Sequence, residues 1–254
     1  MITAVIDLCW IFAWLAIYKK PEAHPRVSQA ELAIIQGEGM EATVKIPWRR
    51  LIPHRQMWAF ALAKFMTDPF WWFYLFGSPD FFNKKFHLDP EGRKYLIMLI
   101  YVVASVGSIA GGWLVEAFMK KGWNVNRARK TTMLICAALV LPVFYSAITD
   151  NKWVAAVLIT IAASAHQAWS ANVFSLAGDM FPKRVVGSVT GFGGMFGAGG
   201  GLILFFVTGK ILKRTGNYFP VFVMGSLAYL LALAIVHWLA PKLAPAQLEE
   251  KSSA

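Results

Sequence analysis

Apolar positions along the chain collect into seven nearly unbroken runs: Ile2 to Tyr18, Met57 to Phe76, Tyr95 to Phe118, Thr131 to Ile148, Trp153 to Leu176, Val186 to Thr208 and Tyr218 to Ala240. Each is about 17 to 25 residues, the length a helix needs to cross a hydrocarbon core of ~30 Å. No water reaches that core to satisfy backbone N–H and C=O groups, so such runs are predicted as helices and the chain as an all-α membrane protein. The connecting segments are short, except Lys19 to Gln56, whose Pro, Glu and Arg content cannot span a bilayer. Within it, Ser28-Gln29-Ala30-Glu31 has the spacing of a capping box and predicts a short surface helix. Pro47, Trp48, Arg49 and Arg50 then read as an interfacial approach to the next span.

Composition agrees with a membrane protein: 57% of residues are hydrophobic and 15% charged, with a mean hydropathy of +0.50. The net charge of +11 does not point to nucleic acid, because the basic residues cluster between the apolar runs. With the loop after the first run cytoplasmic, sixteen Lys and Arg fall on that side and eight on the other, which predicts a cytoplasmic C-terminus. Cys9 and Cys136 lie in apolar runs, and the five histidines are scattered without metal-ligand spacing, so no metal or cofactor is expected. An enzyme would need paired acids, a Ser/His arrangement or an HExxH, and none is present.

Polar residues inside the runs are the candidate chemistry. Lys64 and Asp68 stand four apart in KFMTDPFWWFYLF; each costs roughly 2.5–3.5 kcal/mol at the centre of a spanning helix, which makes them functional candidates. They either bind an anion or form a self-neutralising pair. Pro69 removes a backbone hydrogen bond and predicts a kink. In the fifth run, Ser170 and Asn172 follow His166 at helical spacing, with Gln167 and Trp169 on neighbouring faces; they line a cavity or join helices. Gly187, Gly191, Gly194, Gly197 and Gly201 predict a close-packing helix face, with Gly193 and Gly194 also candidates for a cavity wall. Glu116, at a helix C-terminus, needs a cation, and Arg127 or Arg129 can supply it. Asp179, just before Phe181-Pro182-Lys183-Arg184, is either a gating charge or a static helix-end charge.

The segment Gly111-Gly112-Trp113-Leu114-Val115-Glu116 followed by Arg127-Ala128-Arg129-Lys130 resembles the loop motif between the second and third helix of each half of major facilitator superfamily transporters. His166 through Pro182 resembles the fourth helix of the C-terminal half in the anion:cation symporter family. Tyr18 through Ser28 resembles that family's sixth helix entering its central loop, and Lys64 through Phe76 the seventh helix of its hexuronate-transporter branch. The resemblance implies a six-helix C-terminal bundle plus part of helix six. Residues 1–18 would be a remnant of the sixth helix, 19–56 the central cytoplasmic loop, 57–240 the six-helix half and 241–254 a cytoplasmic tail.

It further implies symport of a sugar-acid anion such as a hexuronate with a cation, usually H⁺, by alternating access in a bacterial-type inner membrane. The family's coupling carboxylates and an arginine sit on helices one and four, in an N-terminal half missing here, so a fragment is expected. A half-size subunit or a non-transporting sensor of the same fold is the alternative. Lys64 falls where the family places a substrate-contacting residue, and the candidate substrate set is Lys64, Asp68, Trp71, Trp72, Gln167, Ser170, Asn172, Phe174 and Gly194. Trp71, Trp72 and Tyr74 either stack on a sugar ring or anchor the helix. Gly112, Glu116, Arg127, Arg129, Lys130 and Asp179 are the gating and motif candidates.

Overall fold

The computed structural model describes residues 2–37 and 46–248. Part of the predicted loop (38–45, with Lys45) and of the predicted tail (249–254, with Lys251) lies outside the described residues. The chain divides into two compact units, Met1–Val44 and Lys45–Ala254.

In the first unit, α1 (Ile2–Ile17) is 16 residues long, about 24 Å at 1.5 Å per residue, which is short of a full span. Near its end Trp14 stacks on Tyr18, with ring centroids 4.5 Å apart. The predicted surface helix is α2 (Gln29–Gly37). Its capping box is closed: the Ser28 backbone N–H and hydroxyl each donate to Glu31 Oε2 at 2.9 Å, and the Glu31 N–H donates back to Ser28 Oγ at 3.2 Å. The Ser28 backbone N–H, then its hydroxyl, hold the Glu31 carboxyl below the usual range.

The second unit begins with α3 (Trp48–Leu51) and α4 (Arg55–Trp72), which runs through a π-helical turn at Phe73–Gly77 into α5 (Ser78–Phe86). Then come α6 (Pro90–Lys120), α7 (Val125–Val140, extended by a 3₁₀ segment Leu141–Ala147), α8 (Lys152–Met180), α9 (Lys183–Thr215) and α10 (Phe219–Leu239). Among the described residues, five helical stretches are long and apolar enough to cross a membrane, α6 through α10. Of the seven predicted runs, the first is too short. The second falls below the others because Lys64 and Asp68 dilute it. The helices outrun the apolar windows because polar residues beyond those windows cap them: Asp89 accepts from the Gly92 N–H, Asn124 from Arg127 and Asn151 from Trp153.

Two tight contacts organise the bundle. Between α6 and α8, a Cβ at Gly107 would overlap the Ser164 backbone, and one at Gly111 would stand 2.6 Å from the Ala168 Cα. Between α4 and α9, added methyls at Gly193, Gly197 and Gly200 would collide with Phe60, Asp68 and the Phe65 carbonyl respectively. Pro69 frees that Phe65 carbonyl from its helical partner, and Gly200 lets α9 lie against it. The predicted glycine face therefore needs correction. Gly187, Gly191 and Gly194 meet nothing, and the packed set is Gly193, Gly197, Gly200 and Gly201. In so glycine-rich a segment several registers satisfy a spacing of three or four, and only the neighbour's shape selects one.

Candidate functional site

Lys64 sits nine residues into α4, about 13 Å along the axis from Arg55. It is 5% exposed. Its Nζ lies 2.7 Å from Asp68 Oδ2 and 4.1 Å from the centroid of the Phe174 ring on α8. Glycine makes the room: a Cβ at Gly193 would come within 3.1 Å of Lys64 Cδ, and one at Gly197 would overlap the Asp68 carboxylate. A buried ammonium of this kind is held by one carboxylate and one aromatic face, both of which can be exchanged for other partners.

About two turns beyond Lys64, Trp71 stacks on His166 of α8, with ring centroids 5.2 Å apart and planes 10° from parallel. His166 is buried, and its Nδ1 lies 2.7 Å from Tyr229 Oη of α10. Tyr229 meets Trp169 edge-on at 5.4 Å. Tyr74 Oη and Trp169 Nε1 are buried with no hydrogen-bond partner among the described residues. The charges on α4 thus open onto a polar and aromatic seam shared by α4, α8 and α10.

Of the candidate substrate residues, Lys64, Asp68, Trp71 and Phe174 are brought together. Gln167 and Ser170 are half-buried on α8. Asn172 is elsewhere: its amide donates to Gly111 O at 3.2 Å and Ala168 O at 2.9 Å, so it joins α8 to α6. Trp72 stacks on Phe76 at 5.9 Å beside Gly201, and Gly194 is exposed; neither reaches the Lys64 cluster. His166 and Tyr229 belong to the seam and were not among the candidates. A lone histidine inside an apolar helix was a usable signal for His166, whereas a tyrosine in an apolar run gives none for Tyr229.

The motif charges pair differently from expectation. Glu116 binds Lys120, one turn along its own helix, at 2.6 Å. The Arg129 guanidinium grips Asp179 from two sides, through Nε to Oδ2 and through Nη2 to Oδ1 at 3.1 Å. Arg127 lies 4.0 Å over the Trp123 ring. Lys130 donates to the carbonyls of Ala240 at 2.6 Å and Pro241 at 2.7 Å. Gly112 faces open space, and the glycine that packs is its neighbour Gly111.

A family model described as Major Facilitator Superfamily matches residues 1–204. The chain is 27% identical to the hexuronate transporter of Escherichia coli (strain K12) over 94% of its own length and 56% of the relative's. It is 24% identical to the D-galactonate transporter of Escherichia coli O6:H1, covering 93% and 56% respectively. With the galacturonate transporter of Dickeya chrysanthemi the identity is 26%, over 56% of this chain and 43% of the relative. The chain spans about half the length of the curated relatives it matches.

Proposed function

Because the chain belongs to the Major Facilitator Superfamily and is an integral membrane protein, we propose that it forms the C-terminal half of a secondary carrier for a sugar-acid anion, with Lys64 binding the substrate carboxylate. One observation carries this reading: a buried lysine held, among the described residues, by Asp68 and a phenylalanine face. An incoming carboxylate replaces Asp68 at Nζ, and desolvation makes the attraction far stronger than in water. Trp71 offers a flat apolar surface to the sugar ring, and Gln167 and Ser170 offer polar atoms to its hydroxyls. The names of the relatives, which are transporters of hexuronate, galactonate and galacturonate, favour a hexuronate or aldonate.

In this reading residues 1–18 are the end of helix six, 19–56 the central loop, 57–240 the six-helix half and 241–254 the tail, with the C-terminus cytoplasmic in an inner membrane. The basic-residue imbalance supports that orientation. The two halves rock about the central site, H⁺ is the coupling ion, and the Arg129–Asp179 pair opens and closes with the rocking. Carboxylates of the N-terminal half carry the proton.

The test is uptake of labelled galacturonate by the complete carrier. Lys64→Ala is expected to lower uptake roughly a hundredfold, the worth of a ~3 kcal/mol charged hydrogen bond, with membrane insertion intact. The Lys64→Met/Asp68→Asn double variant, which leaves no unpaired charge, is expected to stay inactive. Recovery of uptake in the double variant would mean that the pair is merely self-neutralising and would retire Lys64 as the binding group.

A further inference from the structure

Where α7 begins and α10 ends, the bundle holds a cleft of about 510 Å³. Leu134, Leu230 and Leu233 form its apolar part, and Arg127, Lys130 and His237 its polar mouth; among the described residues no acidic side chain lines it. Lys130 is fixed in place by the Ala240 and Pro241 carbonyls, and its Nζ stands 3.5 Å from His237 Nδ1. The Arg127 guanidinium rests on Trp123 and meets no carboxylate among the described residues. Glu116, the acid that the sequence motif places near it, is taken by Lys120, and Asp179 is held by Arg129.

Next to the cleft, Trp238 is 72% exposed, and Arg55 Nη2 donates to its carbonyl at 2.8 Å. Exposed indoles among cations mark the level of a membrane interface. The leucines lie further along two helices that are long and apolar enough to span. Cations at the interface above an apolar slot fit a phosphate with an acyl chain attached. A soluble phosphate would use the cations and make no use of the apolar slot below them, and a zwitterionic headgroup brings no net charge to offset the cations.

We propose that this cleft is a binding site for an anionic diacyl phospholipid, its phosphate at Arg127, Lys130 and His237 and one chain along Leu134, Leu230 and Leu233. The site lies on α7 and α10 and is separate from the Lys64 seam, so it stands whether or not the chain carries sugar acids. One interfacial Arg or Lys contributes about 1 kcal/mol toward an anionic lipid, or about fivefold in affinity.

The purified, delipidated chain in detergent is titrated with dioleoyl phosphatidylglycerol, dioleoyl phosphatidylcholine or glycerol phosphate, and bound lipid is counted by native mass spectrometry. Phosphatidylglycerol is expected to bind at least about fivefold more tightly than phosphatidylcholine, and glycerol phosphate not to be retained. Arg127→Gln, on the exposed first turn of α7, weakens phosphatidylglycerol about fivefold and leaves phosphatidylcholine unchanged. Leu134→Gln, at a half-exposed position, weakens both lipids. Lys213→Gln, at the far end of α9, changes neither. Equal binding of the two lipids overturns the proposal, as does an unaltered Arg127→Gln variant or a loss in Lys213→Gln equal to that in Arg127→Gln. Glycerol phosphate bound as tightly as phosphatidylglycerol would make this a free-phosphate site and also overturns it.

Discussion

Between α6 and α8, Gly107 and Gly111 bring backbone against backbone, whereas between α4 and α9, Gly193 and Gly197 leave room for the side chains of Phe60, Lys64 and Asp68. A backbone contact has no rotamer through which to relax, so the first joint has one geometry. Its polar member, Asn172, donates through its amide to carbonyls of both helices, while its Oδ1 is buried without a hydrogen-bond partner among the described residues. The second joint has a backbone contact of its own, Gly200 on the Phe65 carbonyl, but around Gly193 and Gly197 it is filled by groups with rotatable bonds, and its ion pair can exchange partners without the helices parting. Glycine therefore serves rigidity in one place and a movable charge in the other, and the proposed carrier role uses both: a fixed frame and a site that can be re-occupied.

The largest effect expected from breaking this comparison is at the rigid joint. Gly111→Val puts a branched carbon against the Ala168 backbone, with a Cβ 2.6 Å from the Ala168 Cα. Overpacking of this kind costs about 1–3 kcal/mol where side chains can yield. Here the backbone must move, so a loss of about 3 kcal/mol or more is expected. In detergent that lowers the melting temperature by roughly 6–12 °C. An unshifted melt would mean that α6 and α8 do not approach this closely.

Gly197→Ala probes the other joint. The new methyl meets the Asp68 carboxylate, which can swing away, so about 1 kcal/mol of stability is expected to go. Substrate affinity of the complete carrier is expected to weaken about tenfold, because Lys64 loses its companion and its setting. With Asp68→Ala already present the carboxylate is gone and the methyl meets only the Cβ of residue 68, at 3.2 Å, so Gly197→Ala is expected to cost much less than in the native background. Additive effects in this cycle would show that the methyl acts on the helix backbone instead.

How much of this was legible beforehand divides along a physical line. Helix number and type follow from apolar length, a property of each segment alone, and α6 through α10 appeared where the runs predicted them. The Lys64–Asp68 pair was readable too, because four residues is one helical turn whatever surrounds it. Pairings that depend on how one helix is rotated against another were not. Arg129 meets Asp179, fifty residues away, and Glu116, expected to reach Arg127 or Arg129, takes the lysine on its own face. His166 and Tyr229 find each other across 63 positions, a distance at which single-sequence spacing carries no information. The same limit left Asn172 open between joining helices and lining a cavity: its polarity was plain, but not that its amide donates to Gly111 on α6.

Asn172→Ala is expected to cost about 0.6 kcal/mol, the usual worth of a hydrogen bond between membrane helices, with substrate affinity unchanged. A loss of affinity at full stability would return Asn172 to the cavity and weaken the distinction between the two joints.

The smallest effect is expected from Glu116→Gln. Glu116 and Lys120 are exposed at 60% and 75%, and ion pairs so well solvated contribute little because water and salt screen them and two long side chains must be held still. Neither the melting temperature nor uptake is expected to change measurably. Arg129→Gln acts on a pair whose side chains are only 17% and 22% exposed, and leaves Asp179 without its cation, so a measurable drop in melting temperature is expected there. Should Glu116→Gln instead stop uptake while leaving the melt alone, Glu116 would have to leave Lys120 for Arg127 or Arg129 in another state of the carrier. The frame formed by α6 and α8 would then carry a switching charge of its own.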